Sequence, residues 1–168
     1  MLTKNFYSFI RAAFQKVSAE FTTTGGTAKQ SGFISNPSPP FEVMNKWTTQ
    51  TGATGVSFGT GTTPATASDY VIESILNNTQ ISVSTPRAVS FSRADTYDEY
   101  SVTFGITNKT AEAITISEVG LTACPNTNGT PYPYVLVDRT VLDTPITIPA
   151  GQSKQITYTI RFNYGDAV

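Results

Sequence analysis

The sequence predicts a mainly β domain preceded by an N-terminal amphipathic helix and an extended arm. Three observations carry that expectation. From Gln155 to Phe162 apolar and polar residues alternate, with Ile156, Tyr158, Ile160 and Phe162 on one face and Thr157, Thr159 and Arg161 on the other. Only a half-buried strand has that period of two. Of the 168 residues 39% are hydrophobic, enough for a core, whereas 14% are charged and 28 are threonine, a β-branched residue that suits a pleated surface. The longest helical spacing is confined to the first twenty residues.

Residues 1–20 are the helical segment. Leu2, Phe6, Phe9, Ile10, Ala13, Phe14 and Val17 recur at i, i+3, i+4 and i+7, which lays one apolar stripe along a helix. Lys4, Arg11 and Lys16 take the remaining surface, and Thr3 stands at the N-cap position. Such a stripe packs on the chain's own β domain, on another subunit or on a membrane surface. Residues 21–55 read as an arm. Pro37, Pro39 and Pro40 impose extended geometry and hydrophobes are sparse. A segment this long without regular structure suits a stretch that crosses a neighbour's surface. Trp47, the sole tryptophan, is placed either to anchor the arm or to pack in the core.

Residues 56–168 are the β domain. Val56 and Phe58 mark a short strand that Gly59-Thr60-Gly61 ends with a tight turn. Ser68 or Asp69 is placed to cap a short helix near 69–77 carrying Tyr70, Val71, Ile72, Ile75 and Leu76. Strands are then expected over 81–84, 88–93, 100–108, 113–124, 134–141, 146–148 and 155–163. Turn residues separate them at Asn108-Lys109-Thr110, at 126–133 and at Pro149-Ala150-Gly151, a hairpin-like turn before the last strand. About seven short strands at this spacing is the pattern of an immunoglobulin-like β-sandwich. The Cys-Trp-Cys spacing of antibody domains is missing.

Several function classes fall away on composition. A net charge of −1 disfavours nucleic acid, whose phosphates need clustered Lys and Arg. The first residues make a poor signal peptide, and no apolar run approaches the ~18 residues that span a bilayer. The expectation is a chain made in a cytoplasm, with no membrane partner, that stays soluble until it assembles. The absence of histidine removes histidine-dependent triads and zinc sites. The single cysteine, Cys124, excludes an intrachain disulfide and reads as an incidental thiol or an intermolecular bridge. Asp95, Asp98 and Glu99 lack the spacing of a calcium loop. Gly59-Thr60-Gly61-Thr62-Thr63 lacks the lysine of a phosphate loop. No enzyme, no cofactor and no metal is therefore expected. Tyr132 and Tyr134, with Tyr97, Tyr100 and Tyr164, are candidates for carbohydrate contact, the first two on one recognition loop. The sequons at Asn108 and Asn128 matter only for a chain secreted by a eukaryote.

Two stretches carry a family likeness. Phe58–Ser74, FGTGTTPATASDYVIES, resembles an opening found in virion proteins of tailed bacteriophages. Ile114–Phe162, with ITISEVGLTA and then YVLVDRTVLDTPITIPAGQSKQITYTIRF, is similar to their closing pattern. The matching positions are Glu118, Gly120, Leu121, Leu136, Arg139, Pro145, Gly151, Tyr158 and Phe162. The resemblance covers roughly 100 residues, from Val56 to Phe162, and implies a structural protein of head, neck or tail. Read without it, Glu118 and Arg139 are placed to pair between strands and hold a register.

The function expected is a non-enzymatic virion component: a capsid decoration protein or a neck or tail subunit, homo-oligomeric and bound to other virion subunits. Attachment would run through Phe6, Phe9, Ile10 and Phe14 with the arm and Trp47. The alternative is a receptor- or carbohydrate-binding module of a tail fibre, with Tyr132 and Tyr134 on its recognition face.

Overall fold

The structure, a computed structural model, describes residues 1–15, 19–31, 48, 50, 53–84, 90–124 and 134–163; the side chains of residues 9, 10, 12–15, 19, 30 and 31 lie outside the description. It is mainly β, built from antiparallel pairs. Helix α1 (Lys4–Gln15) is followed by the hairpin β1 (Ala19–Thr22) and β2 (Ala28–Ser31). The stretch read as an arm thus opens with a hairpin, which Gly26 closes at φ 76°. Then come β3 (Gly55–Gly59), β4 (Ile81–Val83), β5 (Ser90–Arg93), β6 (Tyr97–Asn108), β7 (Ile114–Ala123), β8 (Val135–Ile148) and β9 (Ser153–Asn163).

These seven strands make two sheets. One has the order β3-β7-β8. The other is centred on β6, whose whole length pairs with β9 on one side. Its other side is lined by β4 and then β5, two pieces running in the same direction down one edge. Alternation puts Val102, Phe104 and Ile106 of β6 and Ile156, Tyr158 and Ile160 of β9 inward. They meet Val56, Phe58, Val119, Leu121 and Ala123 of the first sheet in one apolar cluster. Phe58 and Phe104 touch across the layer, ring centroids 5.6 Å apart and edge to face, the geometry that aromatic quadrupoles favour.

Three local expectations are corrected. Strands expected at 134–141 and 146–148 are one strand, β8. The register passes from Ile116↔Ile146 to Glu118↔Val141, so residues 142–145 bulge out opposite Ser117. Pro145 sits there because a bulge is where a strand tolerates the missing N–H. The Pro149–Gly151 turn is tight, with Gly151 at φ 67° and Gln152 N–H donating to the Pro149 carbonyl (3.0 Å). It nevertheless joins strands of different sheets and is a corner, not a hairpin. Residues 69–77 form no helix. Ile75 bridges Gly59, Leu76 N–H donates to the Phe58 carbonyl (2.8 Å) and Thr60 N–H to the Ser74 carbonyl (2.9 Å), so the segment runs back along β3 and buries Ile72 and Leu76.

The first three residues also act as strand. Thr3 N–H donates to the Val137 carbonyl (3.1 Å) and Arg139 N–H to the Met1 carbonyl (3.0 Å), around a bridge between Leu2 and Asp138. They cover the free edge of β8, an edge that would otherwise present unpaired main-chain groups. Thr3 does not cap α1 with its hydroxyl, which donates to the Leu136 carbonyl (2.5 Å).

Candidate functional site

The outer face of the β3-β7-β8 sheet holds the densest polar cluster among the described residues. The register places Gly59 opposite Glu118 and Gly120 opposite Arg139, so these four share a face. Small residues at Ser57, Gly59 and Gly120 keep that face low. The segment 60–76 lies over it and seals Glu118 completely (0% exposed) and Arg139 nearly so (3%).

A buried carboxylate needs donors, and Glu118 finds four. Its Oε1 accepts from Gly61 N–H (3.1 Å) and Ser74 N–H (2.7 Å), and its Oε2 from Glu73 N–H (3.1 Å) and Arg139 Nε (2.9 Å). Three of the four are main-chain groups of the covering segment. Two of them, Glu73 and Ser74, lie in 69–77, and their N–H groups are thereby taken from any helix there. The close approach explains the glycines. A Cβ on Gly59 would lie 2.6 Å from the Glu118 carboxylate and 2.6 Å from the Ser74 carbonyl, and one on Gly61 2.5 Å from the carboxylate. Their use is the missing side chain rather than a turn conformation.

Arg139 completes the clasp. Besides Glu118 it donates to Asp69 through Nη1 (2.8 Å) and to the Thr63 carbonyl (3.1 Å) and Glu73 (3.3 Å) through Nη2. Burial alone would raise the Asp69 pKa, but hydrogen bonds from Thr66 and Arg139 outweigh it and hold the carboxyl below its ordinary value. Thr63 does the same for the exposed Glu73. For Arg139 the burial effect is downward; hydrogen bonds and charges from Asp69 and Glu118 prevail and raise its pKa, so it stays cationic. A shallow cleft of about 270 Å³ opens beside Asp69, Tyr70, Glu73 and Arg139. Chemically the arrangement is nearly filled: three carboxylates converge on one guanidinium that makes four hydrogen bonds with its five N–H groups. Among the described residues no group of His, Cys, Asp and Glu is placed to hold a metal ion.

A second buried group ties the sheets together. Asp138 points into the layer between them and accepts from the Tyr158 hydroxyl of β9 (2.7 Å); the Met1 amine lies 3.0 Å away. Burial first, and then the Asp138 charge, push the Tyr158 phenol well up. A third, Asn108, is fully buried at the corner, donating to the Glu112 (2.7 Å) and Ile148 (3.0 Å) carbonyls. That removes it as a glycan acceptor.

The expected site residues fare differently. Phe6 is 5% exposed and belongs to the domain's own core, stacked on Phe162 at 5.8 Å. Phe9, Ile10 and Phe14 lie on α1, but their side chains are outside the described set, as are Trp47 and Tyr132 entirely. Tyr134 is half-buried just before β8, and its carbonyl accepts from Thr24 N–H (2.9 Å). Asp98 pairs with Arg93 (2.8 Å) and Glu99 with Arg161 (2.7 Å), on alternate faces of β6. Cys124 is half-buried, and burial raises its thiol pKa, the opposite of what a reactive thiolate needs. Sequence reasoning reached Glu118 and Arg139 but not Asp69, Glu73, Asp138 or Asn5. Only Asp138 had a signal, a carboxylate inside the apolar run Val135–Val137.

No family model matches the chain, and no match to it was found among curated proteins or solved structures.

Proposed function

We propose that this chain is a non-enzymatic structural subunit of a tailed-phage virion. It would serve as a capsid decoration protein or as a neck or tail subunit, assembling with copies of itself and with other virion subunits. One observation carries the reading. The deeply buried polar groups, Glu118, Arg139, Asp138 and Asn108, are consumed in fastening strands and loops to one another. The positions that carry the phage likeness are among these fastenings: Glu118 clasps Arg139, Tyr158 bonds Asp138, Leu121 and Leu136 are fully buried, and Gly151 turns the corner. A shared scaffold accounts for such a pattern better than a shared reaction does.

The sandwich is of immunoglobulin-like kind in its second half. Strands β6 and β9 pair while the intervening β7–β8 hairpin lies in the opposite sheet, as strands C and F do around D and E. It departs from that plan in docking β3 on β7, the first strand of the hairpin. Phe6 is spent internally, so attachment falls to other parts of the N-terminal region.

Light scattering on the full chain from low to high concentration, with electron microscopy of the heaviest species, tests the reading. A ring, tube or shell of fixed subunit number is expected. A monomer at every concentration overturns it, and binding on a glycan array would then favour the tail-fibre module.

A further inference from the structure

We propose that the outer edge of β9 is a self-association surface, on which β9 of a second copy pairs antiparallel across a two-fold axis. The inference rests on the reading of the protein as an assembling subunit and names one contact between like copies.

The other edges of the sandwich are covered or short. Residues 1–3 lie along β8. Residues 74–76 run back along β3, where Thr48 N–H also donates to the Val56 carbonyl (2.9 Å). β4 and β5, which line the far side of β6, are three and four residues long. An open edge invites another strand, and proteins blunt it with short strands, bulges, prolines or covers. Among the described residues β9 has none of these. It runs for eleven residues, pairs with β6 without a break in register and contains no proline. Residues 1–3 do not close it, since a gap of about 230 Å³ lies between Met1 and Leu2 on one side and Thr159 and Arg161 on the other.

The register says which groups are open. Asn108 N–H donates to the Gln152 carbonyl (2.9 Å), and hydrogen-bonded pairs alternate along an antiparallel ladder. The even-numbered residues of β9 therefore bond β6. Ser153, Gln155, Thr157, Thr159, Arg161 and Asn163 aim their N–H and C=O groups at the open side, where none has a main-chain partner among the described residues.

A second copy fits this edge because β9 is complementary to itself. With the two strands antiparallel about Tyr158, Ser153 faces Asn163 of the second copy, Gln155 faces its Arg161 and Thr157 faces its Thr159. Each open N–H then meets an open C=O, and no like charges stand opposite. On the inner side Ile156 faces Ile160 of the second copy and Tyr158 its own counterpart, so the apolar layer runs on across the axis. Arg161 is already neutralised by Glu99 (2.7 Å). An offset of one residue would set Lys154 opposite Arg161 of the second copy and turn bonded groups towards open ones. An offset of two would shorten the ladder and leave open groups at its ends. The two-fold closes the contact on itself and joins the two β6 sheets into one.

Analytical ultracentrifugation of the full chain over a concentration series reads this contact through two kinds of variant. Thr157→Pro removes an N–H that faces outward, so the ladder to β6 stays intact; within the chain only the exposed hydroxyl contact with Thr103 (2.8 Å) is lost. Two main-chain bonds go per dimer, and self-association should weaken by about tenfold to a hundredfold with an unchanged circular dichroism spectrum. Gln155 is exposed, so Gln155→Lys and Gln155→Glu test the register even if the proline variant folds poorly. The lysine faces Arg161 of the second copy and should weaken the dimer about twofold to tenfold, whereas the glutamate should tighten it by about the same factor. A folded Thr157→Pro chain that associates as the parent does overturns the β9 contact. So do Gln155 variants that shift association in the same direction or not at all. Either result, with the parent still assembling, leaves the assembly reading standing. A parent that stays monomeric at every concentration removes both.

Discussion

Replacing Arg139 with Met probes the clasp most directly. The substitution keeps an unbranched side chain of similar reach and deletes the guanidinium, with its bonds to Glu118, Asp69, Glu73 and Thr63. Glu118 stays at 0% exposure with three main-chain donors but without its cation. Removing one partner of a buried pair costs about 3–5 kcal/mol. That is a large part of the roughly 5–15 kcal/mol of a whole domain. At about 2–4 °C per kcal/mol for a chain of this size, the melting temperature should fall by roughly 6–20 °C. Urea unfolding followed by circular dichroism measures it, as a shift in midpoint at unchanged slope. The companion variant Glu118→Leu should cost more, because it leaves Arg139 Nε and three buried main-chain N–H groups without an acceptor together. The double variant Glu118→Leu/Arg139→Met should remain below Arg139→Met alone. An isolated ion pair behaves differently, since replacing both members with apolar residues restores stability. A loss below about 1 kcal/mol for Arg139→Met, or a double variant as stable as the parent, would refute the clasp.

The acid limb of stability offers a further check. Asp69 has its folded pKa lowered, so its contribution is present above the unfolded value near 4 and is lost as pH falls through the folded value; Arg139→Met should flatten that part of the profile. Gly59→Ala should destabilise by about 1–3 kcal/mol, because the Ser74 carbonyl in its way is main chain. Gly151→Ala, with open space around it, should cost only about 1–2 kcal/mol for its left-handed backbone, and thermal melts rank the two. Tyr158→Phe should cost about 1–3 kcal/mol by leaving buried Asp138 short of a donor. In the parent, the raised Tyr158 pKa means stability intact below about pH 10 and eroding above it, and ultraviolet titration should find this phenol silent until the fold opens. Asn5→Ala should loosen residues 1–31 first, seen as faster amide exchange in β1 and β2 than in β6 and β9.

The strands were legible because a half-buried sheet writes its two faces into alternate residues; β6 and β9 follow that alternation through much of their length, whereas β7 is buried on both faces. Glu118 and Arg139 were legible for a related reason. Opposite charges in runs otherwise apolar have few partners except each other. What stayed hidden depends on groups distant in sequence. The 69–77 stretch has helical spacing, yet its amides answer to a carboxylate some 45 residues further on. The edge role of residues 1–3 leaves little trace in the sequence, since its ladder bonds are main chain and the Thr3 hydroxyl also bonds a main-chain carbonyl. The long bulge of β8 reads as two strands because residues 142–145 interrupt the period.

The pairing of Thr3 with Leu136 spans 133 positions, and this has a consequence during synthesis. At roughly 5–20 residues per second, about 7–27 s separate the appearance of the two. Throughout that interval the first residues of a nascent chain have no β8 of their own to pair with. The cover of the β8 edge is therefore among the last contacts to form, after most of the sandwich has been made.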